Sequence, residues 1–307
     1  MSGKGIGKGS GRTGTMVLGF PENRVTAQAL ADALDVTCEV ADLHRFPDGE
    51  SRVRVPSPAA ETVLVYRSLD DPDAKLVELL LAAAALRDNG ARQVVLVAPY
   101  LAYMRQDMAF RPGEAVSQQV IGRLLATHLD GLITIDPHLH RISRLDEAVP
   151  GIPALSLSAA SVLAQALDAA ENPILIGPDS ESAPWVKAIA TPLGLEVLVG
   201  AKNRHGDRAV SIVVPGIEQV RGRVVVLVDD VIASGRTLAV AAQLLQQAGA
   251  ARVEALATHC LASHQDLAAM EQAGISRIRA TLSVDGPCAS LPVAGLLADA
   301  IRHQGWA

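Results

Sequence analysis

The sequence predicts an α/β protein of two tandem domains, each a mainly parallel sheet flanked by helices. Three observations carry this expectation. Short β-branched runs alternate with helix-patterned stretches along the chain from Met16. The strand runs are apolar at nearly every position rather than every second one, so both faces of the sheet are covered by helices, as in parallel sheets. The alternation persists through 307 residues, enough for two cores when a domain holds roughly 100–200 residues.

In the first half, MVLGF (16–20), TVLVYRS (62–68), QVVLVAPY (93–100) and GLITID (131–136) read as strands. TAQALADAL, AKLVELLLAAAALRDNG and SQQVIGRLLATHL read as helices. The second half repeats the rhythm with PILIG (173–177), LEVLVG (195–200), AVSIVV (209–214), RVVVLVDD (223–230), RVEALATH (252–259) and SRIRATL (277–283). Helices are expected near 157–171, 183–193, 236–248, 264–273 and 291–303. Asn89-Gly90-Ala91 and Ala248-Gly249-Ala250 each end a helix at glycine shortly before a strand, a faint echo between the halves. Proline and glycine in AVPGIPAL (148–155) mark the break, giving domains of 16–150 and 151–307. Residues 1–15, MSGKGIGKGSGRTGT, fit neither GxxxxGK[ST] nor GxGxxG and follow no strand, so a disordered tail is expected there.

Composition narrows the function. A net charge of −6 and a basic cluster confined to the glycine-rich start argue against a nucleic-acid surface. No run of about 18 apolar residues could span a bilayer, and the start lacks the apolar core of a secretory signal. Cys38, Cys260 and Cys288 are odd in number and show no metal spacing, which suits reduced core thiols. A cytoplasmic protein is expected, with neither a membrane nor a nucleic acid as partner.

The chemistry concentrates in VVVLVDDVIASGRTLAVAAQLL, residues 224–245. Ligands of open parallel sheets collect beyond the carboxyl ends of strands, and Asp229 and Asp230 are expected at such an end, facing a crevice. Ala233-Ser234-Gly235-Arg236-Thr237 then turns into a helix whose first amides and positive dipole end suit a phosphate. Two hydroxyls and a guanidinium assist, while the carboxylates suit sugar hydroxyls or a magnesium shell. One segment thus offers both halves of a ribose phosphate site; the plain alternative is a Ser234 helix cap beside solvated aspartates.

VVVLVDDVIASGRT resembles the phosphoribosyl-pyrophosphate (PRPP) binding motif shared by type I phosphoribosyltransferases and ribose-phosphate pyrophosphokinases. RFPDGESRVRV (45–55), PYLAYMRQDMAFRPGEAVS (99–117), ITIDPHLHRI (133–142) and the final LPVAGLLADAI resemble segments of the pyrophosphokinases, in the same order. The chain is therefore similar to a divergent member of that family, and the resemblance implies two type I phosphoribosyltransferase-like domains. It also implies transfer of the diphosphoryl group of Mg-ATP to the C1 hydroxyl of ribose 5-phosphate, giving PRPP and AMP in a homo-oligomer, dimer or hexamer.

The resemblance assigns Phe46, Asp48 and Glu50 to ATP, often across a subunit boundary, together with Arg105, Gln106 and Asp107. Residues 229–230 and 233–237 fall to ribose 5-phosphate, and His138 and Asp179 to Mg2+. Lys202 and Arg204 are the expected catalytic pair, since residues two apart on an extended segment project to one side, where they could clamp migrating phosphoryl oxygens. Arg111 and Glu114 are expected to form a structural ion pair, and His140 and His205 to lie on the surface.

Departures from the family pattern stand at Ala233 and Arg236, at Met108-Ala109, and at Ser180-Glu181-Ser182, where Glu181 adds negative charge beside the expected phosphate path. Two other readings remain open at this level: a type I phosphoribosyltransferase using PRPP as donor, and a catalytically silent, PRPP synthetase-associated regulatory subunit.

Overall fold

The computed structural model describes residues 12–307 except 140, 181 and 206–208, with backbone alone at 12–13, 202–205 and 209–212. The chain forms two compact units, one of residues up to Leu157 together with Ala294–Ala307, the other of Ser158–Val293.

The first unit opens with β1 (Arg12–Gly19), α1 (Arg24–Leu34), β2 (Thr37–Val40) and a hairpin of β3 (Asp42–Arg45) and β4 (Ser51–Arg54). It continues through β5 (Ala60–Tyr66), α2 (Pro72–Asp88), β6 (Gln93–Ala98), α3 (Ser117–His128), β7 (Gly131–Ile135), the single turn α4 (Leu145–Ala148) and β8 (Ala154–Leu157). Its sheet is wholly parallel, in the order β2-β1-β5-β6-β7-β8. β6 and β7 are buried along almost their whole length, which explains their unalternating apolar sequence.

The second unit runs α5 (Ala160–Gln165), β9 (Ile174–Gly177), α6 (Ala183–Ala190), β10 (Val197–Val199) and a ribbon of β11 (Ala201–His205) and β12 (Ala209–Val213). Then come β13 (Val224–Ile232), α7 (Arg236–Gln247), β14 (Arg252–Cys260), α8 (His264–Gln272), β15 (Ile275–Thr281) and β16 (Ala289–Leu291). This sheet is also parallel, in the order β10-β9-β13-β14-β15-β16. The wiring of the two sheets is the same: second strand outermost, then first, third, fourth, fifth and sixth, with an antiparallel hairpin inserted after the second.

The echo at Gly90 and Gly249 belongs to that repeat. Both glycines have positive φ, 106° and 91°. Ala91 donates to Leu86 O and Ala250 to Leu245 O, both at 3.0 Å, closing each helix with the same left-handed cap.

Several expectations are corrected. The expected tail of residues 1–15 overlaps β1, which starts at Arg12 because its backbone pairs with β5 from Ala60 onward; residues 1–11 lie outside the described part. The boundary expected at 150 falls after Leu157, since β8 pairs with β7. The final helix, α9 (Ala294–His303), belongs to the first unit rather than to a 151–307 domain. Its apolar stripe of Leu297, Ala298 and Ile301 is fully buried, Arg302 donates to Ala33 O at the end of α1, and Trp306 packs on Gly131. The helix expected at 157–171 closes at Gln165, and β2, β8 and β16, half-exposed strands of three or four residues with mixed polarity, gave no apolar run to read.

Beneath the first unit's hairpin lies a buried arginine. Arg67, 2% exposed at the end of β5, donates to Glu22 at 2.8 Å and to Glu78 of α2 at 2.5 Å, and lies 3.8 Å over the Phe20 ring. Glu78 also accepts from Ser51, the first residue of β4, at 2.8 Å. Burial alone would push the Glu78 carboxyl up, but hydrogen bonds from Arg67 and Ser51 and the charges of Arg67 and Arg45 hold it below its ordinary value. Arg67→Ala strands Glu78 and is expected to cost about 3–5 kcal/mol in urea unfolding, whereas Arg67→Met combined with Glu78→Leu recovers most of that loss.

Candidate active site

The functional segments hang from the carboxyl ends of the parallel strands and from the two hairpins. In the second unit, β13 runs two residues past the expected end at Asp230, because Val231 and Ile232 pair with His259 and Cys260. The aspartates therefore sit within a paired strand, and their side chains lie within hydrogen-bond reach of each other. Asp229 is half-buried, while Asp230 is 7% exposed rather than open to a crevice. Each carboxylate folds onto the chain ahead of it: Asp229 Oδ1 accepts from Asp230 N at 3.0 Å, and Asp230 Oδ1 from Val231 N at 2.8 Å.

At the end of β9, Asp179 is held by a tight turn. Its Oδ1 accepts from Ser182 N at 3.2 Å, and the Ser182 hydroxyl donates to Asp179 O at 2.6 Å. A Cβ on Gly177 would collide with that hydroxyl, so the strand must end in glycine here. Glu181 lies outside the described residues.

Burial first, then the charges of Asp230 and Asp179, push the Asp229 carboxyl well above its ordinary value, against a smaller opposing hydrogen bond from the Asp230 amide. β9 and β13 are adjacent strands, so this local excess of negative charge is built into the sheet order.

The turn after β13 leads into α7, whose N-cap is Gly235 at φ 64° with no side chain capping it. Ser234 is thus not a helix cap; it is exposed beside Ala233 and Arg236, while Thr237 is half-buried in the first turn. A Cβ at Gly235 would strike the Met270 side chain of α8, so the left-handed turn is fixed by both conformation and space. The first amides of α7 have no intrahelical acceptor, the feature an oxyanion exploits.

Lys202 and Arg204 lie on β11, opposite Ile212 and Val210 of β12. The strands flanking them were expected at 195–200 and 209–214, yet β10 is only Val197–Val199 and the pair belongs to a separate ribbon. Their spacing of two puts them on one face of that ribbon. Their side chains, and that of His205, lie outside the described part, as does His140.

In the first unit, the β3–β4 tip carries Phe46, Asp48 and Glu50, all exposed. Phe46 N donates to Glu50 O at 2.8 Å, Gly49 N to Phe46 O at 2.9 Å, and Glu50 N to Asp48 Oδ1 at 3.2 Å, so the tip is an ordered turn. Phe46 meets His44 edge to face, centroids 4.7 Å apart. After β6, Arg105 is exposed, and Gln106 Oε1 accepts from the Ser117 hydroxyl at 2.6 Å. Asp107 is taken up by Arg141, whose guanidinium and amide donate to it at 2.5 and 3.2 Å. The expected Arg111–Glu114 ion pair is replaced by Glu114 accepting the amides of Phe110 at 2.8 Å and Arg111 at 3.1 Å. His138 is half-buried just after β7, near Asp136, a non-glycine residue at φ 38°. That left-handed aspartate was not singled out from the sequence, although Asp is among the residues that tolerate the conformation.

The proposed metal residues belong to different units, His138 to the first and Asp179 to the second. Among the described residues no group of three or more His, Cys, Asp or Glu is arranged to hold a metal ion.

Two outcomes follow from this geometry. Because the folded state holds the Asp229 proton more tightly than the unfolded chain, this group's contribution to stability is present at low pH and is lost as pH rises from about 4 through its raised value. Asp229→Asn is therefore expected to raise the unfolding temperature at pH 8 but not at pH 3. Gly235→Ala is expected to lose at least about 1–2 kcal/mol in denaturant unfolding through its left-handed backbone alone.

Comparison with known proteins agrees with this architecture. Residues 15–128 match the model for the N-terminal domain of ribose phosphate pyrophosphokinase, and residues 149–293 the model for the phosphoribosyl transferase domain. A ribose-phosphate pyrophosphokinase from Methanopyrus kandleri is 35% identical over 292 residues, covering 94% of this chain and 99% of that protein. One from Methanothermobacter thermautotrophicus is 30% identical, covering 94% of this chain and 100% of that protein. The crystal structure of phosphoribosylpyrophosphate synthetase from Mycobacterium smegmatis superposes with a TM-score of 0.82 at 26% identity, covering 95% of this chain and 98% of that one. With both halves of the chain matched in order and relatives similar over nearly their full length, the chain belongs to the ribose-phosphate pyrophosphokinase family.

Proposed function

We propose that this enzyme transfers the diphosphoryl group of Mg-ATP to the C1 hydroxyl of ribose 5-phosphate, releasing AMP and PRPP. The observation that carries the reading is the β13–α7 segment, in a chain of this family: carboxylates at Asp229 and Asp230 followed by a glycine-fixed turn into the amino-terminal turn of a helix. The sugar's 5-phosphate would rest on the amides of 234–237, assisted by Ser234, Arg236 and Thr237, with Ala233 at the rim. Asp229 and Asp230 would accept hydrogen bonds from the ribose hydroxyls, leaving the C1 oxygen to attack the β-phosphorus as the α-phosphate oxygen departs with AMP.

The hairpin tip supports an adenine site. Phe46 offers an aromatic ring, Asp48 and Glu50 offer acceptors, and Arg105 and Gln106, on the loop between β6 and α3, would serve phosphate and base. Asp107 would serve that loop through Arg141. Lys202 and Arg204, on one face of the ribbon, would neutralise the migrating phosphoryl oxygens, where positioning and charge do most of the work.

The donor set fits magnesium: an oxygen-rich, charge-crowded cluster in which Asp229 is pushed toward its protonated form lacks positive charge. Asp179 in the second unit and His138 in the first are each assigned to Mg2+, with phosphate oxygens and water completing the shell, and when bound the ion supplies charge neutralisation of the triphosphate. We further propose a homo-oligomer, dimer or hexamer, working in the cytoplasm; no helix among the described residues is long and apolar enough to cross a membrane.

Purified protein with Mg-ATP and ribose 5-phosphate is expected to form AMP and PRPP in equal amounts. PRPP consumption with a nucleobase, or no turnover, would overturn the reading. Lys202→Ala is expected to lower AMP formation about 10²–10³-fold with an unchanged unfolding temperature.

A further inference from the structure

We infer that the second unit carries a separate binding cavity for a small oxyanion, built on Arg277 and Arg279 at the amino-terminal end of its sheet. The cavity measures about 170 Å³ and lies between the sheet face and the segment following α5. Its floor follows from register. Val224 pairs with Arg252, Val226 with Glu254, Glu254 with Arg277, and Leu256 with Arg279, so alternate residues of three strands present one face. This end is three to five residues, about 10–16 Å, from Asp229 along β13, on the side away from the β13–α7 turn.

Three guanidiniums and three carboxylates line it, and each carboxylate is already committed. Glu254 is shared, Oε1 accepting from Arg252 Nε at 2.9 Å and Oε2 from Arg279 Nη2 at 3.2 Å. Glu171 is taken by Arg252, and Asp168 accepts from the Ala170 amide at 3.0 Å. Arg279 also donates to Ala166 O through Nη1, but its Nε is buried with no acceptor. Arg277 lines the cavity and makes no ion pair among the described residues. A buried N–H without an acceptor costs stability in proportion to its lost hydration, and native structures answer it with a water or an ion.

An oxyanion is favoured over water alone because one guest can answer two cationic donor groups on the same sheet face, Arg279 with an unsatisfied N–H and Arg277 with no ion pair among the described residues. Burial first, then the neighbouring charge of Arg277, holds Arg279 below its ordinary value despite Glu254. The volume equals that of about five or six waters, room for one tetrahedral or carboxylate oxyanion with a little solvent. It is well below the roughly 300–1,000 Å³ of sites for larger ligands, which excludes a nucleotide.

Calorimetric titration of sodium sulfate into the wild-type protein, Arg277→Ala and Arg279→Lys at matched ionic strength tests this. The β13–α7 turn is common to all three proteins, so uptake there cancels from the comparison, whatever substrate that turn serves. Each variant is expected to weaken one sulfate site about tenfold or more. Crystals grown in sulfate should hold the anion within hydrogen-bond reach of the Arg277 and Arg279 guanidiniums. Identical titrations for wild type and Arg277→Ala, or a cavity holding water only, would overturn the inference. Arg277 is exposed and makes no ion pair among the described residues, so its variant decides the question even if Arg279→Lys fails to fold.

Discussion

A parallel sheet covered on both faces leaves function only its strand ends and whatever the chain inserts beside them. Both units obey this constraint, and it explains where every chemically expressive segment lies. The cores at the sheet centres are apolar and closed. Asp179, Asp229 and Asp230 are at or near carboxyl ends, His138 and the Arg105 loop follow β7 and β6, and the remaining candidates ride on hairpins outside the sheets. The two hairpins occupy the same place in the wiring of their units, after the second strand. One carries an aromatic and two carboxylates at its tip, the other a lysine and an arginine along one edge, so a repeated scaffold has been given opposite chemical content.

The sheet order also sets the electrostatics. Because β9 lies beside β13, the acidic residues ending the two strands are forced into each other's field, and Asp229 is driven toward its neutral form. Folding alone would favour fewer charges at this point. The proposed site for cations and hydroxyl-rich ligands would require them, and local destabilisation of this type clusters where binding supplies the missing partner. The turn that follows is over-determined by contrast, with Gly235 enclosed by Met270.

Much of the fold was legible because the interior strands are uniformly apolar and the helices amphipathic. What escaped was what carries weak periodicity: short edge strands such as β2 and β16, and the β3–β4 hairpin, whose charged and apolar residues alternate without an apolar run. The type of each candidate residue was visible, but its commitments were not. Asp107 gives its carboxylate to Arg141, thirty-four positions away, and Asp230 turns out to be buried by strand pairing that continues to Ile232. Glu78 offered a signal that could have been used, a carboxylate in the interior of a helix rich in leucine and alanine, which physical reasoning should pair with a buried base. Arg67 is that base, and it links the core to the first residue of the hairpin through Ser51.

The return of α9 to the first unit makes the second unit an insertion, joined to its host by two covalent crossings rather than one. During synthesis the inserted unit can close as soon as its last strand leaves the ribosome, whereas the host must wait for Leu297, Ile301 and Trp306 to cover its flank. The order of completion is thus inverted relative to the order of translation: the part begun first is finished last.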